Sequence, residues 1–140
     1  MPAGFQPLFR TSPFLDMLGP FYCRRDAGGL VIGLRLAPKH ANARGLAHGG
    51  LLLTLCDIAL GYSAAYSQDP PVTLTTAQMS ADFAGSARIG DWIESRADVQ
   101  RIGARLAFVN VYLVVNDTRI VRASGVYLRR DAGTRGDQGP

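Results

Sequence analysis

Apolar residues along this chain recur mostly at every second position and shift to a helical period in two places. Leu30, Ile32, Leu34 and Leu36 share one side of an extended segment, which predicts a strand with a single buried face. A partner strand precedes it over about 21–25, with a turn at Ala27-Gly28-Gly29 between them. Four long strands are predicted at about 72–84, 91–102, 105–116 and 119–129, separated by turn signals at Gly85, Gly90-Asp91, Gly103 and Asn116-Asp117. In the third of these, Ala107, Val109, Val111, Leu113 and Val115 form one apolar side. Leu106, Phe108 and Tyr112 lie on the other, which predicts a strand covered on both faces.

The helical stretches are easily delimited. In the first, Ser12 is a suitable cap, Pro13 suits the first turn, and Gly19-Pro20 stops the helix. The second runs from about Gly49 to Ser67 without a proline, until Asp69-Pro70-Pro71 ends it. The order is therefore a short helix, two strands, a long helix and a run of antiparallel strands, an α+β class. No βαβαβ alternation is present, nor any GxGxxG, GxxxxGK[ST], GxSxG or HExxH motif, so a doubly wound nucleotide-binding sheet is excluded. The length fits one domain over residues 1–130, and the Gly- and charge-rich residues 131–140 are expected to be a disordered tail.

Composition narrows the function. The chain is 47% hydrophobic and 19% charged, which suits a folded domain. Its net charge of +4 comes from scattered arginines, with Lys39 the only lysine, and no basic run is interleaved with aromatics. A nucleic-acid surface is not expected. Ordinary solvated charge is the plainer reading of these arginines; a mild field that attracts a phosphorylated ligand is the other. Cys23 and Cys56 make neither a disulfide framework nor a metal spacing, so no metal or other cofactor is expected. Cys56, in an apolar stretch beside Asp57, reads as a buried structural thiol. The N-terminus has no secretory pattern, and Asp57 and small polar residues interrupt the longest apolar stretch. A soluble cytoplasmic protein without a membrane span is expected.

The long helix is where chemistry concentrates. Residues three and four apart share a helix face, so Gly50, Thr54, Asp57 and Gly61 form one narrow stripe. Almost everything else on this helix is apolar, which predicts burial with a carboxylate near its middle. Such a group needs hydrogen bonds or water, and its flanking glycines leave a slot in which a substrate can approach. A structural bond from Asp57 to backbone or to an arginine accounts for it equally well. His48-Gly49-Gly50 stands at the helix start, where unpaired N–H groups and the helix dipole can polarise a carbonyl and hold an oxyanion. Asp57 lies roughly 10–12 Å further along the axis at 1.5 Å per residue, too far for a single reacting atom.

The run His40-Ala41-Asn42-Ala43-Arg44-Gly45-Leu46-Ala47-His48-Gly49-Gly50, continuing to Leu55-Cys56-Asp57-Ile58-Ala59, resembles the signature H-x-N-x-x-G-x-x-H-G-G with L-x-D-x-A of PaaI-type hotdog-fold thioesterases. The resemblance extends over most of the chain. It implies a curved antiparallel sheet wrapped around the long helix, an acyl-CoA substrate, and a homodimer or homotetramer with sites at the subunit interface. It makes Asp57 the general base, or a nucleophile, and gives carbonyl polarisation to the Gly49 or Gly50 N–H. His48 then supports the loop or the substrate, and Asn42 orients the attacking water or substrate. It also implies a hydroxyl from the other subunit, supplied by Thr76 or, in its place, Thr75. Thr54 and Gly61 would line the substrate slot.

Each residue also has a plainer reading: Asn42 as a loop-turning side chain, His40 as a loop residue, His48 as a satisfied structural histidine, Thr76 as an exposed strand residue. Two other functions fit the same frame. One is an acyl-thioester hydratase or dehydratase; the other is a non-catalytic acyl-CoA-binding module.

Overall fold

The structure, a computed structural model, describes residues 1–130; the tail expected at 131–140 lies outside the described residues. Its elements are β1 (Gln6–Pro7), α1 (Pro13–Leu18), β2 (Tyr22–Asp26), β3 (Gly29–Arg35), a 3₁₀ turn (Pro38–His40), α2 (Gly49–Ala65), β4 (Thr73–Phe83), β5 (Trp92–Ile102), β6 (Leu106–Val115) and β7 (Thr118–Arg130). The two-residue β1 has no counterpart in the sequence pattern, because a strand that short shows no period. The long helix ends two residues earlier than expected, with Tyr66 as its C-cap.

The seven strands form one antiparallel sheet in the order β1-β2-β3-β5-β6-β7-β4. Helix α2 packs against β3 to β7, as expected for a sheet curved around a single rod. Leu55, Cys56, Ala59 and Leu60 of α2 are fully buried against Ile32, Leu34, Ile93, Val109, Val111, Leu113 and Val121 from the strands. Each large aliphatic side chain so buried contributes about 1.5–3 kcal/mol relative to exposure. Where the β3–β5 ladder runs out, the fully buried Ser95 accepts the Ile32 N–H on its Oγ at 2.9 Å, so the join leaves no unpaired donor there.

One expectation fails. Leu106 and Phe108 of β6 are 36% and 38% exposed, so this strand is covered on one face only. The helix covers the concave face of the sheet, and on the convex face Phe5 packs over Gly33 of β3 while these outer positions of β6 stay exposed. Among the described residues, no helix is long and apolar enough to cross a membrane.

Two details fix the loop ahead of α2. Ser12 caps α1 by accepting the Leu15 N–H, and Leu15 anchors that short helix in the core. His40, only 2% exposed, accepts the Ala37 N–H on Nδ1, which places its proton on Nε2 for donation to the Leu18 carbonyl. It is thus a buried tie between the 3₁₀ turn and the end of α1, where the sequence reads only a loop residue.

Candidate active site

Helix α2 begins at His48, whose extended backbone and ring make it the N-cap. Its Nδ1 accepts the Gly50 N–H at 2.9 Å. A Cβ at Gly50 would stand 3.1 Å from that nitrogen, so the glycine lets the ring fold back over the first turn. The Gly50 N–H is therefore already engaged. Among the described residues, no acceptor is found for the Gly49 N–H. It remains the donor at this terminus with free capacity. The Asn42 Oδ1 accepts the N–H groups of Arg44 and Leu46, the turn-stabilising role of its plainer reading.

Further along α2, the stripe read from the sequence is the side left open. Leu51, Leu52, Leu55, Cys56, Ile58, Ala59 and Leu60 are buried, while Thr54, Asp57 and Gly61 are half-buried. The Thr54 hydroxyl donates to the Gly50 carbonyl one turn earlier, which ties it to its own helix. Asp57 is held by two hydroxyls. Thr76 Oγ1 donates to Asp57 Oδ1 at 2.9 Å, and the Tyr127 hydroxyl donates to the same oxygen at 2.9 Å and to the Asp57 carbonyl at 3.1 Å.

Sheet register explains why these two hydroxyls converge. Thr76 on β4 and Tyr127 on β7 are direct cross-strand partners, so their side chains share the inner face. A bulge between Thr76 and Gln78 follows immediately, one of the irregularities that re-aim side chains beside active sites. Thr75 alternates to the outer face opposite Leu128, and its Oγ1 accepts from Arg130 Nε. Thr75 thus does not line the Asp57 cleft of its own chain. Thr76 reaches Asp57 within its own chain, where the resemblance implies a hydroxyl from the other subunit. Strand β4 follows α2 directly and pairs with β7 at the sheet edge, and that brings its inner face back onto the helix.

Thr54, Asp57, Gly61, Thr76 and Tyr127 line a cleft of about 470 Å³, with Arg10, Phe14, Tyr62, Tyr66 and Leu74 among its other walls. Phe9 packs against two of these wall residues, with its ring centroid 4.7 Å from that of Tyr66 and 5.9 Å from that of Tyr62. Asn42, His48, Gly49, Gly50 and Thr75 are not in this lining. Gly61 also plays a part other than the expected substrate slot. A Cβ there would meet the Tyr127 ring at 3.3 Å, so that ring occupies much of the space the glycine leaves.

No arginine or lysine among the described residues pairs with Asp57. Its charge acts on its neighbours. Burial, and then the Asp57 carboxylate, push the Tyr127 phenol well above the ordinary tyrosine range, so its O–H is retained as a donor. The same two causes push the Cys56 thiol up to about 12, as expected for a structural thiol. Tyr62 is also raised by burial, with Arg10 opposing.

Tyr127 is the site residue that sequence reasoning missed. A signal was present: the inward stripe of β7 reads Val121, Ala123, Gly125, Tyr127, and a large polar-tipped ring two positions after a glycine needs a hydrogen-bond partner in the core.

Comparisons with known proteins identify the family and the fold. A model of the thioesterase superfamily matches residues 44–121. The chain is 50% identical over 128 residues to the Pseudomonas aeruginosa protein named "Putative esterase PA0474", across 91% of this chain and 96% of that one. The PaaI protein of E. coli, from the phenylacetic acid degradation operon, superposes with a TM-score of 0.77 at 19% identity, covering 87% of each chain. The structure of smu.793 from Streptococcus mutans UA159, bound to acetyl-CoA, gives a TM-score of 0.76 at 21% identity, over 88% of this chain and 95% of that one. At these identities the two structures establish a shared fold, the hotdog arrangement of a sheet around a central helix.

Proposed function

We propose that this chain, which belongs to the thioesterase superfamily, hydrolyses acyl-CoA thioesters to the free acid and CoA with Asp57 as general base. The observation that carries this reading is a carboxylate with one oxygen held by two hydroxyls, no cationic partner among the described residues, and a position in the wall of a cleft. Oδ1 is engaged, so Oδ2 is the oxygen that takes a proton from water. The resulting hydroxide attacks the thioester carbonyl. Collapse of the tetrahedral intermediate breaks the carbon–sulfur bond, and the proton held on Asp57 goes to the departing thiolate. The acetyl-CoA bound to smu.793 supports CoA esters as the substrate class.

An oxyanion donor is also needed, and the Gly49 N–H at the positive end of α2 suits it. That donor does not line the Asp57 cleft of its own chain. We take the complete site to form between two copies, with His48 and Gly49 of one copy facing Asp57 of the other. Strand β4 is an eleven-residue edge with largely exposed side chains, free to pair along its outer side. Such a protein works in the cytoplasm without a cofactor.

The test is thiol release from a panel of short-chain, medium-chain and aromatic acyl-CoA esters, with sedimentation to read the oligomeric state. Turnover by a dimer or tetramer is expected. Loss of enoyl absorbance without free thiol would identify a hydratase instead. Saturable binding without turnover across the panel would identify a binding module.

A further inference from the structure

We infer that Tyr127 is a positioning residue for the Asp57 base, wedged between two glycines so that its hydroxyl pins Oδ1 and leaves Oδ2 to take the proton. This inference rests on the thioesterase reading above for its kinetic consequence, though not for its geometry.

Tyr127 is 2% exposed, within a stripe of β7 whose other members are Val121, Ala123 and Gly125. If the role were packing alone, phenylalanine would serve, since a buried hydroxyl without a partner is a net cost. Both acceptors of this O–H are on Asp57, the side-chain Oδ1 and the backbone carbonyl, and the Thr76 hydroxyl is a neighbour within hydrogen-bond reach of the phenol. A single donor thus bridges the carboxylate and the main chain of the same residue, which fixes the side-chain torsions of Asp57 relative to its own helix.

The ring itself is approached at both of its ε carbons. A Cβ on Gly125 would lie 2.7 Å from Tyr127 Cε2, and one on Gly61 would lie 3.3 Å from Cε1. Two elements far apart in sequence have each given up a side chain where this ring passes. A ring so confined places its hydroxyl within a small volume, and that is what a catalytic carboxylate requires of its supporting shell. Thr76 donates to the same oxygen from the neighbouring strand, so the two donors together define which oxygen stays basic.

The test is the Tyr127→Phe variant of the full chain, assayed by thiol release with the best substrate of the panel. The expected result is a fall in kcat of roughly tenfold to a hundredfold with KM unchanged, the scale of one hydrogen bond to a charged group. Gly125→Ala keeps the hydroxyl and displaces the ring, so it should lower kcat in the same way. The double variant should be no worse than the poorer single variant, whereas independent effects would multiply. A parental kcat in Tyr127→Phe, or a loss confined to KM, overturns the inference. Should the parent protein release no thiol from any ester, the proposed function fails, and a crystal structure of Tyr127→Phe still decides this point. The Asp57 carboxylate should leave its present rotamer; an unmoved carboxylate overturns the positioning role.

Discussion

Thr76 Oγ1 donates to Asp57 Oδ1 at 2.9 Å, so the strand that follows the central helix returns within the same chain to hold the helix's carboxylate. The two residues are nineteen positions apart, joined by the end of α2 and the loop into β4. This bond has separable consequences for the base and for its support. Asp57→Asn should remove nearly all hydrolysis, a loss on the order of a hundredfold to ten-thousandfold, because the amide cannot take the proton from water. Thr76→Val should lose much less, roughly tenfold, and Thr76→Ser should recover most of the loss by restoring the hydroxyl. Thiol-release kinetics on the folded variants check both. An Asp57→Asn variant as fast as the parent would remove Asp57 from the chemistry.

The two histidines should behave differently despite flanking the same loop. His40 satisfies the Ala37 N–H and the Leu18 carbonyl in the interior, and its loss orphans both, at about 2–4 kcal/mol for His40→Ala. His48 is an exposed N-cap, and His48→Ala should cost about 1 kcal/mol. Urea unfolding of the two variants measures the difference. Equal costs would show that His40 is not the tie between the 3₁₀ turn and α1.

Alkaline pH should destabilise the fold through the groups beside Asp57. The folded Cys56 holds its proton to about 12, against an ordinary value of 9.0. Over that window the folded state binds more protons than the unfolded state, so stability falls as pH rises. The loss from this group is up to about 1.4 kcal/mol per pH unit above the unfolded value. Tyr127, also raised, adds in the same direction above the ordinary tyrosine range. The urea midpoint should therefore be lower at pH 10 than at pH 8, and less so in Cys56→Ala. At pH 8 a thiol reagent should label neither Cys56 nor the buried Cys23 until denaturant is added; rapid labelling of the native protein would contradict their burial.

Ser63 is a site where loss of a polar group should help. Its Oγ is buried and has no hydrogen-bond partner among the described residues. Ser63→Ala should be neutral or stabilising by up to about 1 kcal/mol, since it removes an unsatisfied group and improves helix propensity. A melting temperature clearly below the parent's would indicate a partner, such as a bound water, that the hydroxyl holds.

Much of this molecule was legible along the chain because the relevant periods are local. Leu30, Ile32, Leu34 and Leu36 alternate, and all four are buried, the first three on β3 and Leu36 just past its end. Gly50, Thr54, Asp57 and Gly61 recur at helical spacing, and the last three line the cleft as one stripe. The outer face of β6 was misread because an apolar residue at a strand position carries no sign of whether another layer covers it. Phe108 looks the same in sequence whether covered or exposed.

By itself the sequence determined the two helices, the six longer strands, their order, the open stripe of α2 and the carboxylate on it, since each depends on residues within a few positions of one another. Only the tertiary structure decided which groups meet that carboxylate. Tyr127 lies seventy residues from Asp57, and its arrival there depends on the β4–β7 register and on space left by Gly61 and Gly125. The N–H groups of the His48 turn, close to Asp57 along the chain, are left outside its cleft. Local spacing dictates which face a side chain takes. What stands opposite that face depends on how the sheet closes over the helix, and that is set by packing of the whole core.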